Sequence, residues 1–215
     1  MTPDLNSLRD RIPILQPAEV VRGLRTGRKH VVTFAGYGEL GYQDEASLER
    51  ATASILGGFD PATTIVNTGT LLTDGFKAGI AAIYPVARAL GFETAGIHPS
   101  IALSQSERHS LAHGVHRVYF VGDTTWGGLL PATREPSQTL QALLEASDEL
   151  IAIGGGEHTA QEIEAFLVYG KPVRFFSAAM HAETTRRWCQ EKRIELPPPN
   201  GVAAQRWGAG GALRA

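Results

Sequence analysis

The chain has 215 residues, of which 43% are hydrophobic and 20% are charged, an ordinary balance for a globular domain. Its net charge of -2 argues against a nucleic-acid surface or an anionic membrane as partner, and the single cysteine, Cys189, excludes a disulfide within the chain. Residues 1–16 have no apolar signal region, and no run reaches the ~20 apolar residues of a membrane span. We therefore expect a cytoplasmic protein.

Short apolar runs, rich in β-branched and aromatic residues, predict strands. The runs are unbroken rather than alternating, which is typical of parallel strands buried on both faces. Helical patterns separate them, so the sequence predicts an α/β fold: a single doubly wound, mostly parallel Rossmann-like sheet with helices on both faces. In such sheets ligands bind beyond the carboxyl ends of the strands. The predicted strands span 30–36, 63–69, 93–99, 117–123, 150–156 and 172–178.

Apolar spacing predicts the helices between and after these strands, and Pro85 is expected to kink or break the second of them. We expect three regions: an N-terminal helical extension over 1–28, the nucleotide-binding domain over 29–196, and a flexible tail rich in Pro, Gly and Ala over 197–215. The predicted helices span 45–56, 75–91, 137–149, 159–170 and 181–192.

Three predicted strands end in glycine-containing turns, over 36–41, 68–75 and 154–159. All three turns follow a strand, so they should lie on one edge of the sheet. Glycine permits positive φ and close backbone approach, and a following helix N-terminus offers N–H groups to an anion. Together the turns predict a ligand that contains phosphate or ribose.

Two of these turns have alternative interpretations. The first, "GYGELG", matches the dinucleotide fingerprint G-x-G-x-x-G, but the second strand ends in Asn67 and Thr68 instead of the acid that would hold a ribose. The next acid, Asp74, lies six residues past that strand end and so is not at the expected position. In the third turn, Thr159 and Glu162 fit a capping box, in which each side chain bonds the backbone N–H of the other. A capping box does not explain the three glycines that precede it.

The third turn resembles a family signature. A strand, "GGGEHTAQE" (154–162), a helix and "GKPV" before another strand are similar to the LOG-like Rossmann proteins of the SLOG superfamily, often labelled putative lysine decarboxylases. The resemblance covers roughly residues 29–178 and extends to "SDELIAIGGG" and "IVNTGTLLTDG". It implies a nucleoside 5′-monophosphate phosphoribohydrolase, an N-glycosidase without cofactor or metal that forms a homodimer or larger homo-oligomer. The alternative is a non-catalytic nucleotide sensor of the same superfamily.

The resemblance also implies roles for residues. Glu162 is the first candidate for the catalytic carboxylate and Glu157 the second, and His158 would donate to phosphate or to the leaving base. Hydrolytic members carry an arginine where this chain has Thr139, and Arg134 lies five residues upstream. The predicted ligand-binding residues are Gly36, Tyr37, Gly38, Gly69, Thr70, Asp74, Gly75, Arg134, Gly154, Gly155, Gly156, His158 and Thr159.

Three histidines and a loop tryptophan have other possible roles. His109, His113 and His116 would share a face if they lay on one helix and could then bind zinc, although Gly114 interrupts the run and a solvated helix edge is the simpler interpretation. The loop over 122–136 follows a strand, so Trp126 within it either stacks on a base or packs into the surface. No G-x-S-x-G elbow supports a serine hydrolase.

Overall fold

A computed structural model describes residues 5, 11–27 and 29–208 of the chain. Within these ranges, seven strands form one parallel sheet and two short strands form an antiparallel ribbon. The main sheet contains β1 (Ile14–Leu15), β2 (His30–Gly36), β3 (Thr64–Thr68), β5 (Glu93–Pro99), β7 (Arg117–Val121), β8 (Glu149–Ile153) and β9 (Val173–Phe176); the ribbon contains β4 (Leu72–Thr73) and β6 (His109–Ser110).

Helices cover both faces of this sheet. Leu48 and Ile83 pack with Phe34 of β2 on one face, whereas Leu140 and Ile163 pack with Leu150 of β8 on the other. Burying each such side chain contributes about 1.5–3 kcal/mol, so the two apolar layers stabilise the sheet from both sides. The helices are α1 (Pro17–Leu24), α2 (Glu45–Leu56), α3 (Ile83–Ala89), α4 (Ile101–Ser104), α5 (Gln138–Ala146), α6 (Glu157–Val168), α7 (Ala182–Lys192) and α8 (Gly201–Trp207).

The strand order across the sheet is β1-β7-β5-β3-β2-β8-β9, with β2 near the centre. Thr33 of β2 lies opposite Asn67 of β3, and Gly36 lies opposite Ile153 of β8. Because neighbouring strands are parallel, the turns after β2, β3 and β8 leave the sheet at the same edge. The predicted doubly wound α/β fold is confirmed.

All six predicted strands are present, and β2 and β5 have the predicted bounds. The prediction that Pro85 interrupts a long helix is wrong. A 3-10 turn over Gly79–Ala82 precedes α3, which begins at Ile83, so Pro85 lies in the first helical turn. Its missing N–H needs no acceptor there, and its ring meets no preceding helical carbonyl.

Segments near both ends of the chain pack against the sheet domain more than predicted. The N-terminal extension contains α1, but it also adds β1 to the sheet beside β7. The prediction of a flexible tail is wrong for α8, since Ala203 is fully buried and its N–H donates to the Gly155 carbonyl at 3.1 Å. The remainder of both predicted segments, 1–4, 6–10, 28 and 209–215, lies outside the described residues.

No helix among the described residues is long and apolar enough to cross a bilayer.

Candidate functional site

A cavity of about 370 Å³ opens at the carboxyl edge of the sheet. Its floor comes from the ends of β2 and β3, and one wall comes from the first turns of α6. The loop that contains Trp126 forms another wall. Of the residues predicted from the sequence, the structure brings together Gly36, Gly38, Gly69, Thr70, His158, Thr159 and Glu162 around this cavity.

Glu162 supplies a carboxylate to the cavity. Its side chain is only 14% exposed, and no hydrogen-bond donor reaches the carboxylate within the described part of the chain. Burial raises the pKa of Glu162, and the neighbouring His158 partly offsets that rise. The one basic side chain within 4 Å of it among the described residues is His158, whose Nε2 lies 3.9 Å from Glu162 Oε1. A buried carboxylate without a donor is unusual, because desolvation is then uncompensated; it indicates a group positioned for a ligand.

The start of α6 differs from the predicted capping box, which is wrong. The helix begins at Glu157 with Gly156 as its N-cap, so Thr159 lies within the first turn. The Thr159 hydroxyl donates to the Gly36 carbonyl at 3.0 Å and so joins α6 to the end of β2. Glu162 therefore has no capping role, and its side chain is available to the cavity.

Two of the three consecutive glycines serve packing. Gly154 has φ 58°, and a Cβ on it would lie 2.6 Å from the Tyr37 ring. Gly155 has φ 120°, and its Cβ would lie 2.4 Å from the Thr159 side chain. The Gly155 carbonyl also accepts from Ala203 of α8. The Gly154 N–H donates to a carbonyl of β9 at 2.7 Å and the Gly155 N–H bonds the Tyr37 hydroxyl, so in this structure neither amide is available to the predicted ligand. Both glycines let α8, β9 and the first turn pack around β8.

Tyr37 belongs to the same packing arrangement and is only 3% exposed. Its hydroxyl donates to the Ala178 carbonyl at 2.9 Å, and burial raises its pKa to about 12 despite a backbone hydrogen bond from Gly155. Its ring meets the Tyr42 ring edge-on, with 5.1 Å between the ring centroids. Tyr37 therefore supports the turn from behind and does not line the cavity, contrary to prediction.

Four further predicted residues lie away from the cavity. Glu157 is exposed and forms a bidentate ion pair with Arg206 at 2.8 and 2.9 Å. Arg134 is also exposed, and its Nη2 donates to both carboxylate oxygens of Glu164 at 3.0 and 2.8 Å. These side chains are occupied by partners on the outer surface, so neither the second catalytic candidate nor the substitute arginine reaches the site. The other two residues, Asp74 and Gly75, are exposed beyond β4.

The loop over 122–136 covers the cavity. The sequence pointed to its Trp126 but not to the two glycines that follow it. Trp126 is 45% exposed and lines the opening. Gly127 and Gly128 follow it with φ values of 94° and 72°, and a Cβ on either would lie 3.1–3.2 Å from the His158 ring. Glycine is needed here because the backbone passes directly over the imidazole. The long-range contact with His158 gives no local sequence signal.

Asp123 fixes this loop. Its carboxylate accepts from the Thr125 N–H at 2.8 Å, from the Thr125 hydroxyl at 2.7 Å and from the Thr139 N–H at 2.9 Å. Burial raises the pKa of Asp123, but these hydrogen bonds outweigh it and the net shift is downward. Asp123 therefore positions Trp126 and the start of α5 from within the loop.

The charge of the cavity is unusual for a phosphate site. No lysine or arginine is among the described residues that line it, whereas Glu39 and Glu162 contribute carboxylates. Thr139 lines the cavity and is only 4% exposed. Any phosphate held here would depend on backbone N–H groups, threonine hydroxyls such as that of Thr70, and His158, without a lysine or arginine among the described lining residues.

The three histidines weighed as a metal site are not on one helix. His109 lies on β6, where its Nδ1 is 3.2 Å from the Thr73 hydroxyl, and His116 contacts Arg88 at 2.8 Å. Among the described residues, no group of three or more His, Cys, Asp and Glu side chains is arranged to hold a metal ion.

No protein-family model matches the chain, and no curated protein matches it in sequence. The fold is similar to the molybdenum cofactor carrier protein of Chlamydomonas reinhardtii at 18% identity and a TM-score of 0.46, covering 80% of this chain and 91% of that one. It is also similar to the molybdenum cofactor binding protein of the phototrophic bacterium Rippkaea orientalis at 15% identity and a TM-score of 0.48, with the same coverage.

Proposed function

We propose that the cavity binds the ribose of a nucleotide or nucleotide-derived ligand, and that the Glu162 carboxylate accepts hydrogen bonds from its hydroxyls. The observation that carries this proposal is the Glu162 side chain itself, which is 14% exposed and has no donor among the described residues. A vicinal diol supplies two donors to one carboxylate, which would compensate its desolvation.

The dimensions and walls of the cavity suit such a ligand. A volume of about 370 Å³ falls within the range of small-molecule sites. Gly38 and Gly69 add no side chains to the lining, so a sugar can approach the backbone closely there, whereas a Cβ on Gly36 would meet the Tyr42 hydroxyl in the core. At the opening, the half-exposed indole of Trp126 offers a face for a base to stack on.

The reaction that these residues support is hydrolysis of the N-glycosidic bond of a nucleoside 5′-monophosphate, as in the LOG-like proteins that the sequence resembles. The base leaves with the bonding electrons, and the sugar passes through an oxocarbenium-like state that water then captures at C1′. The Glu162 carboxylate would stabilise that positive charge, and His158 would supply a proton to the leaving base. Both side chains line the same cavity.

A second candidate is nucleotide binding without catalysis. It is favoured by the cavity charge, because the described lining residues include no lysine or arginine and Thr139 stands at the position of the family arginine. An arginine binds phosphate or a leaving group through a planar fork that threonine lacks. The same cavity would then hold the nucleotide intact.

Incubation with a panel of nucleoside 5′-monophosphates, followed by chromatography for free base and calorimetry for binding, separates the two candidates. The hydrolase predicts base release by the wild type, loss of release in Glu162→Gln, and retention in Glu164→Gln, which alters an exposed carboxylate on the same helix. Tight binding without release would support the second candidate. Absence of binding to every nucleotide would contradict both. The panel also contains molybdenum cofactor, the ligand named for the similar carrier proteins. Binding of molybdenum cofactor and of no nucleotide would reassign the ligand of the cavity.

A further inference from the structure

A second cavity of about 400 Å³ adjoins the first. The two share Glu39, Gly69, Pro99 and Trp126 in their linings, so they are neighbouring parts of one cleft at the carboxyl edge of the sheet. The indole of Trp126 stands at the boundary between them. A ligand that enters at Trp126 can therefore extend from one part into the other.

The second cavity has the arginine and lysine side chains that the first one lacks, and with them an imidazole whose pKa is lowered by burial. Arg108, His109 and Lys192 line it, together with Gln105 and Thr73. Arg108 and Lys192 are exposed, and in the described part of the chain neither has a carboxylate within 4 Å. In contrast, Arg134 and Arg206 are each held in an ion pair with a glutamate. The lysine and arginine of the cleft thus lie only in the second part, Glu162 lies only in the first part, and Glu39 lies at the boundary.

The second part is fixed to the body of the protein. His109 lies on β6 of the small ribbon, where its Nδ1 contacts the Thr73 hydroxyl of β4 at 3.2 Å. Trp126 meets the His109 ring edge-on at 5.2 Å between centroids, which orients the imidazole from the other side. Thr73 thereby uses Nδ1, and Nε2 remains for a ligand. Arg108 immediately precedes this histidine in the chain.

We propose that this second part, formed by Arg108, His109 and Lys192, binds the phosphoryl end of the ligand. The inference rests on the proposed function, since it assigns the phosphate of the same ligand whose ribose contacts Glu162. It accounts for this distribution of charge: a sugar diol needs acceptors, and a phosphate needs donors and positive charge. It also fits a turn in which the Gly154 N–H already bonds a carbonyl of β9 and the Gly155 N–H already bonds Tyr37.

The test uses inorganic pyrophosphate as the probe and calorimetry at low salt as the measurement. We expect the double variant Arg108→Gln, Lys192→Gln to bind pyrophosphate about 10-fold or more weakly than the wild type, because two charge-assisted contacts are lost. The matched control is Arg186→Gln, which removes an exposed cation from the same helix as Lys192 but outside both cavities. It should bind like the wild type, and added salt should weaken binding in both.

A nucleoside and its 5′-monophosphate distinguish the two proposals. The double variant should lose the extra affinity that the phosphate confers, whereas Glu162→Gln should weaken nucleoside binding and leave pyrophosphate binding unchanged. Pyrophosphate that fails to bind the wild type, or that binds the double variant equally well, would overturn the phosphoryl site. Pyrophosphate binding that depends on Arg108 and Lys192, in a protein that binds no nucleoside, would support the anion site and reject the ribose site.

Discussion

Replacing Glu162 by glutamine should stabilise the protein while it removes the proposed function. A buried charged group without a partner costs about 1–3 kcal/mol. The Glu162 side chain is 14% exposed, and His158, itself 51% exposed, is too distant for a hydrogen bond at 3.9 Å. Residual contact with the open cavity places the cost at the low end, so we expect Glu162→Gln to raise the free energy of unfolding by about 1 kcal/mol at neutral pH. This corresponds to about 2–4 °C in Tm for a chain of this size.

The pH dependence provides the control for this prediction. Burial raises the pKa of Glu162 in the folded state, so the folded state holds that proton more strongly than the unfolded state. The wild type therefore keeps its full free energy of unfolding below the ordinary glutamate pKa. That free energy falls as pH rises through the raised pKa of Glu162. Urea unfolding should show the advantage of Glu162→Gln at neutral pH and its disappearance at acid pH. Glu164→Gln, which breaks an exposed pair with Arg134, should cost about 0.5 kcal/mol or less.

The reasoning is refuted if Glu162→Gln is less stable than the wild type at neutral pH, or if its advantage is the same at both pH values. The first result would mean that the carboxylate has a stabilising partner in the folded protein, and the second that the advantage does not come from removing its charge.

Three further predictions follow from the site. Gly155→Ala should lower the free energy of unfolding by about 2 kcal/mol or more in thermal melts, because φ is 120° and a Cβ would lie 2.4 Å from a side chain one turn along α6; Gly156→Ala, with open space around its Cβ, should cost much less. Glu157→Gln should leave nucleotide affinity within about 2-fold, since its carboxylate pairs with Arg206 outside the cavity; a larger loss in calorimetry would return Glu157 to the site. Base release, measured by chromatography across pH, should fall on the acid side as pH drops through the raised pKa of Glu162, because only the carboxylate stabilises the oxocarbenium ion; a rate with no such acid limb would contradict this role.

The sheet could be predicted from the sequence because its strands are buried on both faces. Runs such as 30–36 and 93–99 have no polar alternation, and the structure forms β2 and β5 over those same residues. The start of α3 at Ile83 was harder to predict, since a 3-10 turn that begins at Gly79 precedes it. This glycine has φ 57°, and a Cβ on it would lie 1.9 Å from the Gly38 carbonyl in another turn.

The site was predictable only where its chemistry is local. Glu162 follows its glycine turn at a fixed spacing, so the sequence could identify it. The packing role of Gly154 and Gly155 could not be foreseen, because their neighbours are Tyr37 of another turn and α8 at the far end of the chain. The capping-box pattern misled for a similar reason: the Thr159 hydroxyl bonds a carbonyl 123 residues away.

The most direct measurement of the central claim is a crystal structure of the protein soaked with a nucleoside 5′-monophosphate. The account predicts a ribose in the cavity at the carboxyl edge, with its hydroxyls within hydrogen-bonding distance of Glu162 and its phosphate directed toward Arg108 and Lys192. A nucleotide bound elsewhere on the surface, or one in the cavity whose sugar makes no contact with Glu162, would contradict it.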